Sequence, residues 1–297
     1  MTAVFDALVE PFRYDFMLRG LFSALLLSVS GSLLGSVLVL RRLALLGDAL
    51  SHSLLPGVAV AWLLFGRGIV SMLVGALVTG LVIAVGSALL SRLTRLKEDA
   101  AFGAFFLVAY AGGIALVSQT GTRVDLLHFL FGHILGVGPA DLWLTAAAAG
   151  ITVLLFGLFY RGIVLEVFDP VFSRAAGMHA SWFHLGFLSL AVLNLVAALQ
   201  TMGVILALGL FLLPATTAYL WCDRFSTMLS LSAALGMVGS VAGLILSFHT
   251  GLSSGPSIVL CLGVGLIASA IASPRYGLLH SITIAWRERR AVRHTTD

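Results

Sequence analysis

The chain has 297 residues, 60% of them hydrophobic and only 10% charged, with a mean hydropathy of +1.08. Soluble domains carry about a quarter charged residues, so the composition excludes one and predicts a polytopic helical membrane protein. The net charge of +4 is concentrated at the ends of apolar runs, a mark of membrane topology rather than of nucleic-acid binding.

Apolar runs long enough to span a bilayer lie at 17–40, 44–65, 70–91, 100–119, 141–160, 182–200, 202–221, 226–247 and 256–273. They predict an all-α transmembrane bundle of about eight or nine spanning helices, with a short cytoplasmic helix between the fifth and sixth. The chain 1–297 reads as one transmembrane domain, with a membrane-embedded core at 17–273 and a basic tail at 274–297. The first run is too long for a signal peptide and is stopped by Arg41 and Arg42. Cys222 and Cys261 show neither metal-binding spacing nor a disulfide framework.

Cations fall in alternate loops: Arg41 and Arg42; Arg92, Arg95 and Lys97; Arg161 and Arg174; Arg224; and the tail at Arg287, Arg289 and Arg290. The positive-inside rule puts these loops and the C-terminus in the cytoplasm. The opposite loops, at 66–68, 118–138 and 249–255, are rich in Gly, Ser and His and face outward. The N-terminus is then outside, although Arg13 and Arg19 oppose that placement.

The second run contains GDALSHSLLPGVAVAW, in which Asp48 and His52 stand one helical turn apart. Asp48 is the only carboxylate well inside an apolar run. Counting inward from Arg42, it lies ~9 Å and His52 ~15 Å into the membrane. A carboxylate there is expensive and points to an ion or proton site. Oxygen plus imidazole suits zinc, manganese or ferrous iron, and two ligands require a second copy or another helix to complete the shell. A plainer reading makes Asp48 an N-cap after a break at Gly47 and His52 a buried hydrogen-bonding residue. Ser51, Ser53, Pro56 and Gly57 add hydroxyls and a backbone break, which favours a helix lining a cavity.

VDLLHFLFGHILGV at 124–137 is too short to span and reads as a re-entrant or interfacial helix. His128 and His133 either collect metal at the outer mouth or are simply packed and solvated there. On the cytoplasmic side Asp169-Pro170 is a helix start, VFSRAA a short amphipathic helix, and Gly177 its stop. That helix is either a docking surface for another subunit or part of an ordinary loop. The pairs Gly31/Gly35 and Gly239/Gly243 permit close helix contact, within the chain or at a dimer seam. Pro214 marks either a break in the pathway or a kink.

GDALSHSLLPGVAVAW, EDAAFGAFF, LFGHILGV, FDPVFSRAAG, QTMGVILALGLFLLPATTA and SSGPSIVL, in this order from about residue 17 to 273, resemble the metal-ion ABC importer permeases that carry zinc, manganese or iron. The resemblance implies a homodimeric permease in the plasma membrane, a cytoplasmic ATPase subunit on each half, and an extracytoplasmic metal-binding protein that delivers the ion. It makes Asp48 and His52 metal contacts, and Asp169, Pro170, Arg174, Ala175 and Gly177 the surface that couples to the ATPase. Val171 replaces the acidic residue common after that Asp-Pro pair.

The chain has no phosphate-binding Gly-x-x-x-x-Gly-Lys-Ser/Thr loop around its sole lysine, Lys97, so ATP hydrolysis is expected on a separate chain. No permanently bound cofactor is expected. His128, His133 and His249 favour zinc as the transported ion, with manganese or iron as the alternative. A proton-coupled secondary carrier, with Asp48 and His52 as a relay, is the alternative from another class. An intramembrane metalloprotease is disfavoured because no His-Glu-x-x-His occurs.

Overall fold

The computed structural model describes residues 10–65, 69–119, 134–175 and 180–274. After a 3₁₀ turn at Glu10–Arg13 come α1 (Asp15–Leu40), α2 (Ala44–Ser53), α3 (Leu55–Phe65), α4 (Ile69–Leu93) and α5 (Glu98–Gln119). A second 3₁₀ turn, Ile134–Gly136, precedes α6 (Pro139–Leu158), α7 (Tyr160–Phe168), α8 (Pro170–Ala175), α9 (Ala180–Met202), α10 (Val204–Tyr219), α11 (Phe225–Thr250) and α12 (Ser254–Ala272). No strand occurs among the described residues. A chain in hydrocarbon must satisfy its backbone polar groups internally, and helices do so within each segment.

Two of the long helices lie deepest. The apolar windows of α1 and α9 are 67% and 61% buried, against 22–33% for the other long helices. Helix α1 packs on α6, α9, α10 and α11, while α9 packs on α4, α6 and α1. The α2–α5 group leans on α9 through α4 and α2. Val70, Val74, Val78 and Val82 repeat along the exposed side of α4, a stripe suited to lipid.

Small residues set the close contacts. A side chain at Gly35 would collide with the backbone oxygen of Phe211 on α10, and one at Gly31 would meet the Phe211 ring. Gly239 and Gly243 are filled by Leu262 and Ile258 of α12. Both small-residue pairs therefore serve packing inside the chain, where dispersion rather than water drives helix association. Ser28 pairs with Ser240 at 3.0 Å, and Ser32 Oγ donates to the Ser232 carbonyl at 3.1 Å, stitching α1 to α11.

The expected all-α transmembrane bundle is there, and its span count differs slightly from the eight or nine expected. Among the described residues six helices are long and apolar enough to cross a membrane, with Asp99–Ala115 and Val204–Tyr219 shorter. Each expected run is nonetheless helical. The run at 44–65 divides at Leu54 into α2 and α3, neither long enough alone. The runs at 182–200 and 202–221 are separate helices, because Gly203 takes φ 81°, a conformation that ends α9 and suits glycine. Helix α10 continues through Pro214 without a break.

Candidate functional site

Helix α2 carries both Asp48 and His52, four residues apart on one face. Its Gly47, Leu50 and Ser51, with Leu54 just beyond, are buried, and this face seats α2 against the bundle. Asp48 lies off that face and is exposed on the single chain. Ser51 Oγ donates to the Gly47 carbonyl at 2.9 Å and Ser53 Oγ to the Leu50 carbonyl at 2.8 Å, so both hydroxyls are engaged by their own helix.

The break at Gly47 that the plainer reading of Asp48 as an N-cap requires is not there. Gly47 lies inside α2 with Leu208 of α10 against it, and Asp48 is the fifth residue of the helix rather than its N-cap. The interruption comes one residue after Ser53, for a reason visible in the sequence. Pro56 has no N–H, so the carbonyl of His52 loses its usual helical partner. The result is a backbone oxygen without its helical bond at the level of the candidate ligands. Among the described residues no group of three His, Cys, Asp or Glu side chains could hold a metal ion.

Helix α7 runs into Asp169, whose Oδ1 accepts the Phe172 N–H at 2.8 Å and caps α8. Pro170 fills the first helical position, where a missing N–H costs nothing. Arg174 and Ala175 close the helix, and Gly177 lies outside the described residues. The polar stretch before Asp169 is itself helical, as α7. Phe168, Val171 and Phe172 are 59%, 67% and 56% exposed around this elbow, so its free surface is apolar.

Beside that elbow lies a cluster that no sequence pattern marks. Arg41, Glu166 and His184 come from the end of α1, from α7 and from the start of α9. Arg41 Nη2 pairs with Glu166 Oε1 at 2.7 Å, and Nη1 donates to His184 Nδ1 at 2.5 Å. His128 and His133 lie outside the described residues. His249 Nδ1 donates to the Ile245 carbonyl of its own helix at 2.9 Å.

Residues 13–273 match the ABC 3 transport family. The chain belongs to that family. It is similar to the manganese transport system membrane protein MntC of Halalkalibacterium halodurans, 37% identical over 292 residues, covering 98% of this chain and 97% of that protein. The chelated iron transport system membrane protein YfeD of Yersinia pestis is 35% identical over 271 residues, with 91% and 90% covered. Among solved structures, PsaBC from Streptococcus pneumoniae in complex with Fab superposes with a TM-score of 0.78 at 30% identity, covering 93% of this chain and 98% of that one. The chain is thus a metal ABC importer permease, a multi-pass protein of the plasma membrane. The two relatives carry manganese and iron in their names, which supports the alternative cargo of the sequence reading and not its first choice, zinc.

Proposed function

We propose that this chain is the membrane subunit of an ATP-driven importer that carries manganese into the cytoplasm, with ferrous iron as the second candidate, and that Asp48 and His52 contact the ion on its way. The near full-length likeness to manganese and iron transport proteins carries the choice of cargo. Chemistry agrees, since carboxylate and carbonyl oxygens suit manganese while imidazole accepts several divalent ions. The preference for zinc rested on outer histidines, and no relative named above supports it.

Asp48 is exposed on the single chain although its helix belongs to an apolar run. A carboxylate at that level belongs against protein or a water-filled cavity, not lipid. This supports a pathway at a seam with a second copy of the chain, which supplies the remaining donors. The carbonyl of His52, left without its helical bond by Pro56, adds an oxygen on the same path.

On the cytoplasmic side the capped helix α8, flanked by exposed Phe168, Val171 and Phe172, is the surface a separate ATPase subunit grips. Exposed apolar side chains on the rim of a membrane protein favour a protein partner over water. Arg174, Ala175 and Gly177 complete that surface. A metal-binding protein outside the membrane delivers the ion, with His128 and His133 at the receiving mouth.

The test is the metal content of intact cells with and without the gene, grown in scarce metal. Manganese is expected to fall in the deletion strain and return with the intact gene. A selective fall in zinc, with manganese and iron unchanged, contradicts the assignment.

A further inference from the structure

We propose that Arg41, Glu166 and His184 form the positioning link that passes movement of the docking helix α8 to the metal-contact helix α2. The inference rests on the function proposed above and adds a part to it. Its first ground is connectivity. Glu166 lies three residues before Asp169, the cap of α8, and Arg41 lies three residues before Ala44, the first residue of α2. One ion pair therefore joins the two ends of the machine at their roots.

The second ground is the grip itself. Arg41 uses separate nitrogens of one guanidinium, Nη1 for His184 on α9 and Nη2 for Glu166 on α7, at 2.5 and 2.7 Å. Nη2 also reaches the Glu166 carbonyl at 3.4 Å. A planar fork fixes the direction of both partners, which a single ammonium cannot do. Arg41 is thereby tied to α7, which bears the docking helix, and to α9, one of the two deepest of the long helices.

The third ground is the stiffness of the joint. Arg41, Arg42 and Leu43 close α1 in a Schellman turn, with the Arg42 N–H bonded to the Val39 carbonyl at 3.1 Å and the Leu43 N–H to the Leu38 carbonyl at 2.8 Å. Arg42 sits at φ 59°, the left-handed region in which a non-glycine residue is strained. Such strain persists where the surroundings over-determine the backbone. A displacement of Arg41 is then passed into α2 rather than absorbed by a loose linker.

Burial is the fourth ground. Glu166 is 8% and His184 5% exposed, and Glu166 Oε2 has no hydrogen-bond partner among the described residues. Buried charges are poor stabilisers, since apolar replacements of similar volume often serve stability as well or better. What the pair supplies is a fixed relative position of three helices.

The test uses the full chain assembled with its ATPase subunit and metal-binding protein in lipid vesicles, reading manganese ions moved per ATP hydrolysed. Glu166→Gln keeps size and hydrogen bonding but removes the charge, and Arg41→Lys keeps the cation that topology requires but loses the fork. Both are expected to assemble with the ATPase at the wild-type ratio, to go on hydrolysing ATP, and to lower the ions moved per ATP by about tenfold. His184→Ala, which removes one arm only, should give a smaller drop in the same ratio. An unchanged ratio in Glu166→Gln and Arg41→Lys overturns the link and leaves Arg41 a topology anchor. Uptake and hydrolysis falling in equal proportion overturns it too, since that marks lost assembly. A wild-type complex that moves no manganese overturns the proposed function itself, which separates the two failures.

Discussion

Gly57 on α3 and Gly75 on α4 meet backbone to backbone: a side chain placed at either would collide with the carbonyl oxygen of the other. Close by, a side chain at Gly113 on α5 would meet Pro56. The segment that follows His52 is thus clamped on two sides immediately after the helix break. Because the obstacles at 57 and 75 are main-chain atoms, no rotamer change relieves them.

Gly57→Ala and Gly75→Ala should each force α3 and α4 apart, destabilising the chain by about 1–3 kcal/mol, the usual scale for overpacking. Gly103→Ala on α5, where an added methyl meets nothing within 4 Å, is the matched control. Thermal unfolding in detergent should show lowered transitions for the first two and a normal one for the third. Equal transitions in all three would argue that the clamp is slack.

The cap of α8, the proposed docking helix, is testable by itself. Asp169→Ala removes the acceptor for the Phe172 N–H and should cost α8 about 1 kcal/mol, while Asp169→Asn preserves a capping oxygen. A helix of six residues, Pro170–Ala175, is too short to be stable by propagation alone. Co-purification of the ATPase should therefore drop with alanine and persist with asparagine. Similar loss in both would assign the carboxylate a direct contact with the ATPase instead.

The apolar elbow gives a sharper version. Replacing Phe172 with Asp leaves the membrane helices untouched but places a charge on the exposed side of α8. The ATPase should dissociate while the permease still inserts and dimerises, as size-exclusion chromatography of the complex would show. Retained ATPase with normal uptake would remove Phe172 from the docking surface.

Much of the bundle is legible in the sequence because lipid demands long apolar helices, and every predicted run is helical, that at 44–65 as two helices. Boundaries and breaks are less so. Gly47 reads as a breaker, yet a glycine is tolerated inside a helix when a neighbour packs on it, as Leu208 does here. Pro56, by contrast, removes a donor whatever surrounds it, and the break falls beside it. The pair Asp48 and His52 is visible through its helical spacing. The cluster of Arg41, Glu166 and His184 is not, because no periodicity connects positions so far apart, and Arg41 alone reads as a topology signal. Phe168 and Phe172 are likewise hidden, since an apolar residue in a membrane protein is first assigned to lipid.

His128 and His133, which lie outside the described residues, are proposed to act in capture of the ion. Replacing His128 and His133 together by Gln should raise the external manganese concentration for half-maximal uptake and leave the maximal rate nearly unchanged, because a capture site does not govern the slow conformational step. An unaltered concentration dependence would return both histidines to a packing role.

The most direct test of the pathway is manganese uptake into vesicles by the complete complex carrying Asp48→Asn or His52→Ala. Asn keeps the shape of the side chain and removes the anionic oxygen, and Asp48 lies inside α2, so no cap is lost. The account predicts complexes that assemble and hydrolyse ATP but move almost no manganese. Wild-type uptake by both variants would contradict it.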